Sequence, residues 1–299
     1  MKSIKFIALS FGLLLTVSAS AQHPVEIQQQ TADGDHFRAL VDFEKLPKRR
    51  QTIESRLAAA KSAWALGLVE RAAAEYDLLL REEGLEDHEK AKVLLSRGII
   101  ELQEGNFDIA SVYAEKAIKK LDKSSPLRSR AWMLWGQGLF DSKSYGSACQ
   151  KFKKALDEAL PAEKPEVEYN IGKCERRLGK NDNALEHFQK IPLHHEKTPS
   201  AVRNLAHLSL ESGQYEQAAF WLAKGRQEYP DYFLDSWVDY ALMKVAIHER
   251  DSEKVVSIKQ TAVAKYPPSD GWLALINAAS EAYHWAEEAE EEQGEQDVN

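Results

Sequence analysis

A recurring spacing of small residues constrains this chain more than any other feature. Ala72, Ala110, Ala148, Ala184 and Ala218 follow one another at intervals of 38, 38, 36 and 34 residues. Around Ala148, the residues Trp132, Trp135, Gly136 and Leu139 precede it at helical spacing, and Phe152 and Ala155 follow four and seven residues later. Two short amphipathic helices per period are predicted. They cross where Gly136 and Ala148 leave no side chain to hold the backbones apart, and Phe152 and the tryptophans fill the space beside the crossing. The figure returns in Ile171, Gly172, Ala184, Phe188 and Ile191, and again in Leu205, Ala206, Ala218, Leu222 and Gly225. Glycine stands five residues before the anchor as Gly67, Gly105, Gly179 and Gly213, where the chain must leave one helix and reverse into the next. A sixth, degenerate unit carries Val255 at the anchor. A single hairpin cannot bury its apolar face alone, so the hairpins must stack into one continuous core.

This order of small, turn-glycine, aromatic and anchor-alanine positions resembles the tetratricopeptide repeat. The resemblance covers residues 52–267, with Pro230 and Pro267 closing two units as that family's pattern expects. It implies an all-α, right-handed α-solenoid over residues 48–268, with hairpins near 52–86, 90–125, 129–162, 165–197, 199–232 and 234–268. It also implies that the first helices line a groove holding an extended or helical segment of another protein. Residues 269–290 read as a capping helix and 291–299 as a solvated acidic tail. Residues 22–47 lack the repeat and are expected to be partly disordered, with a short helix near 37–44.

Lys2 and Lys5 stand ahead of an apolar run over residues 6–17, and the small residues Ala19, Ser20 and Ala21 follow. This is the pattern of a bacterial-type signal peptide over residues 1–21, cleaved after Ala21, and it predicts export to the periplasm. Retention of the segment as an anchor is the alternative. A bilayer-spanning helix needs roughly 20 apolar residues, so no transmembrane segment is expected in the mature chain. The formal net charge is −8, and seven acidic side chains crowd positions 287–297. The body is therefore only mildly acidic and carries no basic stripe, which argues against nucleic-acid binding.

The sequence holds no phosphate-cradling glycine loop, nucleophile elbow or helical histidine pair with glutamate. His194, His195 and Glu196 offer adjacent histidines that point apart and no third ligand. The chain is thus read as non-catalytic, with no cofactor and no metal, and Trp132, Trp135 and Trp237 as core fillers. The function this supports is a protein–protein interaction scaffold or adaptor of the bacterial periplasm or cell envelope. A self-assembling structural protein and an accessory subunit of a cell-wall enzyme are the alternatives.

One constellation points to a partner site. Asn170, Lys173 and Arg177 are spaced three and four apart on one predicted helix face, Arg203, Asn204 and His207 occupy the next unit in matching register, and Gln137 the preceding one. Several donors and cations on the groove of an acidic protein suggest an acidic segment or a chain-terminal carboxylate as ligand, with His207 adding a cation as pH falls toward about 6. The plain alternative is a solvated face balanced by Glu166, Glu175 and Glu211. Cys149 and Cys174 lie 12 and 13 residues either side of Pro161 and Ala162. They should sit level on antiparallel helices, either disulfide-bonded or as two buried thiols.

Overall fold

The computed structural model describes residues 24–298, and the signal-peptide reading of residues 1–21 with its cleavage after Ala21 lies outside them. Among the described residues the chain is helical throughout, without strands. The helices are α1 (Pro24–Ala32), α2 (His36–Lys45), α3 (Ile53–Ala65), α4 (Val69–Leu79), α5 (Asp87–Gln103), α6 (Phe107–Lys120), α7 (Leu127–Asp141) and α8 (Tyr145–Glu158). They continue as α9 (Lys164–Arg177), α10 (Asn181–Gln189), α11 (Thr198–Glu211), α12 (Tyr215–Glu228), α13 (Ser236–His248), α14 (Ser252–Lys265) and α15 (Gly271–Val298). The chain divides between Ile100 and Glu101 into two compact units.

In the first unit, Ala72, Tyr76 and Leu79 of α4 pack against Ala59, Ala60 and Ala63 of α3. The partial disorder expected over residues 22–47 does not hold from residue 24 onward. There α1 and α2 form a hairpin through Gly34, whose φ is +82°, and Ile27, Ala39, Phe43 and Leu46 enter the same core. Polar ties fix it, from Gln30 Nε2 to Asp42 Oδ2 at 3.0 Å and between the hydroxyls of Thr31 and Ser62 at 2.9 Å.

In the second unit, α7 pairs with α8, α9 with α10, α11 with α12 and α13 with α14. The anchors Ala110, Ala148, Ala184, Ala218 and Val255 are fully buried. The close crossing is visible at two of the glycines. A β-carbon on Gly136 would meet the Phe152 ring at 2.5 Å, and one on Gly172 would meet the Phe188 ring at 2.8 Å. The acidic tail expected over 291–299 is instead a continuation of the capping helix, since α15 is 28 residues long and runs to Val298.

The helix reversals share one bonding scheme. The amides of Leu68, Asn106, Ser144, Lys180, Gln214 and Asp251 donate to the carbonyl five residues back at 2.8–3.0 Å, the closure that places the preceding residue in the left-handed region. Glycine supplies it with φ of +70° to +80° at Gly67, Gly105, Gly179 and Gly213, but Lys143 and Arg250 hold the same place at +65° and +56°. A β-carbon in that conformation costs on the order of 1 kcal/mol. Lys143→Gly is therefore expected to raise the stability of the second unit by about 1 kcal/mol, read as a higher urea midpoint at unchanged slope. An unchanged midpoint would show that the turn carries no strain.

Candidate partner-binding face

The first helices α7, α9, α11 and α13 meet one another through side chains, and most of the residues expected to bind a partner are found there. The centre is an arginine adjacent to the one expected. Arg176 Nη1 donates to Asn204 Oδ1 at 2.7 Å, and its Nη2 lies 3.1 Å from His207 Nδ1 and 3.8 Å from Glu211 Oε1. His207 in turn stacks on Trp237, with centroids 5.2 Å apart and planes at 9°. Arg203 covers Trp237 at 4.5 Å while donating to Tyr232 O at 2.8 Å and to Asp235 Oδ2 at 2.5 Å. Three consecutive hairpins are thereby joined by one polar and aromatic strip.

A smaller cluster lies at α7 and α9. Lys173 Nζ sits 4.8 Å from the Phe140 ring centroid and 5.8 Å from that of Tyr169, and Gln137 donates to Asp141 Oδ2 at 2.7 Å. Burial pushes the Lys173 ammonium below its ordinary range, opposed by the nearby Asp141 carboxylate. Arg177 is exposed at the end of α9.

Two sequence-based expectations change here. Asn170 is buried and its amide donates to Glu166 O of its own helix at 3.0 Å, so that donor is turned to the backbone rather than to the groove. His207 is held below the usual histidine range, first by burial and then by the Arg176 guanidinium, with Glu211 opposing. It is therefore neutral at pH 7, and Nδ1 accepts from Arg176. The lowered value works against the further cation expected from His207 as pH falls toward about 6. The sign of its effect on stability follows from proton counting. Between the lowered native value and about 6.5 in the unfolded chain, the unfolded state binds more protons, so the contribution of this site is full above about 6.5 and is lost as pH falls. His207→Gln is expected to flatten the stability profile of the chain in that window, as measured by urea unfolding at stepped pH. An unaltered slope would remove His207 from the titration.

Cys149 and Cys174 are free, buried thiols rather than a disulfide. The Cys174 thiol donates to Tyr145 O at 3.0 Å; its closeness to Cys149 lowers the Cys149 value and raises its own. Trp132 and Trp237 are buried as core fillers, and Trp132 stacks on Trp135 at 5.5 Å under the ammonium of Lys151. Among the described residues, no cluster of three or more His, Cys, Asp or Glu side chains is placed to hold a metal ion, and no helix is long and apolar enough to cross a membrane.

Stacked helix hairpins that join their first helices side by side define a class of interaction scaffold. Residues 95–166 match the family model described as tetratricopeptide repeat. A solved Pseudomonas aeruginosa PilF structure superposes with a TM-score of 0.57 at 17% identity, covering 70% of this chain and 94% of that one. A MamA crystal structure superposes with a TM-score of 0.50 at 17% identity, covering 57% of this chain and 95% of that one. No curated protein sequence matches the chain. Residues 95–166 thus carry the tetratricopeptide repeat, and the helix-hairpin fold of the chain is the one that repeat builds.

Proposed function

We propose that this protein is a non-catalytic scaffold of the bacterial periplasm or cell envelope, exported by its N-terminal signal, that holds a segment of a partner protein against the α7, α9, α11 and α13 face. The observation that carries this reading is the strip from Arg176 through Asn204 and His207 to Trp237 and Arg203. Such a strip presents the Arg176 and Arg203 guanidiniums in fixed positions, the chemistry that recognises an acidic segment or a terminal carboxylate. An incoming carboxylate would give Lys173 the counter-charge that burial makes valuable. It would compete with Glu211 and Asp235 for Arg176 and Arg203, so steering and specificity are expected to exceed raw affinity.

Two measurements test the proposal. Cell fractionation with N-terminal sequencing should find the chain in the periplasm beginning at Gln22, and an intact Met1 in the cytoplasm would sink the export reading. Affinity capture from native envelopes should recover a partner with the wild-type chain that the Lys173→Glu, Arg177→Glu variant does not recover. Equal recovery by both would move the site elsewhere.

A further inference from the structure

The helix α15 carries two seams. One is made of Leu273, Ile276, Ser280 and Tyr283, all buried, which pack toward α13 and α14. The other steps through Trp272, Leu275, Ala279, Ala282, Ala286 and Ala289 at alternating intervals of three and four residues, with Trp285 beside it. Its outward part is Leu275 at 47% and Trp285 at 70% exposure, while Trp272, 37% exposed, also leans on the Tyr240 ring at 5.2 Å and Ala279 packs partly on the inner core. Every preceding first helix of the second unit, α7, α9, α11 and α13, has its own second helix against it, and among the described residues α15 has none. A helix apolar on two sides is one built to be covered on both.

Charge decides what covers it. From residue 271 to 298 the sequence has eight Asp and Glu and no Lys or Arg. All eight lie in 281–297, toward the negative end of the helix dipole, where carboxylates are unfavourable. Glu281 and Glu288 border the apolar seam, Glu281 lying 3.8 Å from Lys259 of α14, and Glu290 further on is held by Arg250. Two copies of this seam laid parallel would bring like charges against each other, and laid antiparallel they would set each acidic half against the uncharged residues 271–280, with no cation to neutralise it. We propose that the outward seam of α15 docks an amphipathic helix of a partner protein whose apolar stripe is flanked by lysine or arginine, taking the place of the second helix that a further hairpin would supply. Its cations would neutralise the glutamates and relieve the opposed dipole, while its apolar stripe covers Leu275 and Trp285.

The test uses the full chain and two synthetic 21-residue helical peptides with the same leucine and alanine stripe, one flanked by lysines and one by glutamates. The lysine peptide should bind and shift tryptophan emission to the blue, with the glutamate peptide at least about tenfold weaker. Leu275→Gln with Trp285→Gln alters exposed positions without altering charge, and should weaken the lysine peptide at least about tenfold at an unchanged thermal midpoint. Glu281→Gln with Glu288→Gln should narrow the gap between the two peptides. Three results would overturn the proposal. The lysine peptide fails to bind, or it binds the Leu275 and Trp285 double variant within about twofold of wild type, showing that the acidic residues alone attract it. Alternatively, sedimentation shows a wild-type dimer that this double variant converts to monomer, which would make a second copy the occupant.

Discussion

Phe152→Ala should lower the stability of the second unit by about 3 to 5 kcal/mol, the usual cost of emptying a buried aromatic site. The ring is fully buried in α8 and fills the notch left by Gly136, so nothing adjacent can follow it inward without closing the hairpin further. The reciprocal change, Ala148→Leu, adds volume at a fully buried anchor and should cost about 1 to 3 kcal/mol by forcing α7 and α8 apart. Because stacked hairpins share interfaces, either change in the middle should spread further than Val255→Ala in α14. Thermal and urea unfolding measure all three. Wild-type stability in Phe152→Ala and Ala148→Leu would mean that the crossing does not carry the fold.

The second large effect concerns association. Lys173→Glu with Arg177→Glu should weaken binding of the captured partner at least about tenfold, and rising salt should weaken the wild-type complex over the same range. Lys173 is the more telling member, since its half-buried ammonium lies on Phe140 and responds more strongly to a new carboxylate than an exposed cation would. Arg203 is a poorer choice for reversal because Asp235 and Tyr232 already hold it and its loss would disturb Trp237. Lys119→Glu with Lys120→Glu, at the end of α6, is the control and should leave binding unchanged. Calorimetry at two ionic strengths reads both variants, and wild-type affinity in the first would remove the face from the interaction.

The repeat was legible in the sequence because its signal is steric. A small residue every 34 to 38 positions, with glycine five before it, has few explanations other than close helix crossings joined by left-handed turns. The first hairpin was legible only in its second helix, expected near 37–44 and found as α2; α1 was not, because it contributes a single buried residue, Ile27, and is otherwise held by hydrogen bonds that leave no periodic trace. The partner face was legible in part. Arg203, Asn204 and His207 were brought together as their spacing suggests, yet the sequence gives Arg176 and Arg177 equal standing beside Lys173. One residue is a turn of about 100° around a helix, enough to place Arg176 against α11 and leave Arg177 in solvent. Trp237 gave the opposite difficulty, since it is a core filler that also serves as a platform for His207 and Arg203.

The two non-glycine turns have a dynamic consequence. An array of hairpins opens where its joints are weakest, and the joints at Lys143 and Arg250 begin with conformational energy that the glycine joints lack. Their closing amides, Ser144 and Asp251, should exchange hydrogen for deuterium sooner than the equivalent amides of Lys180 and Gln214. Breathing of the chain would then start within the hairpins α7–α8 and α13–α14, leaving the α9–α12 pair that presents Arg176, Asn204 and His207 as the quiet segment between them.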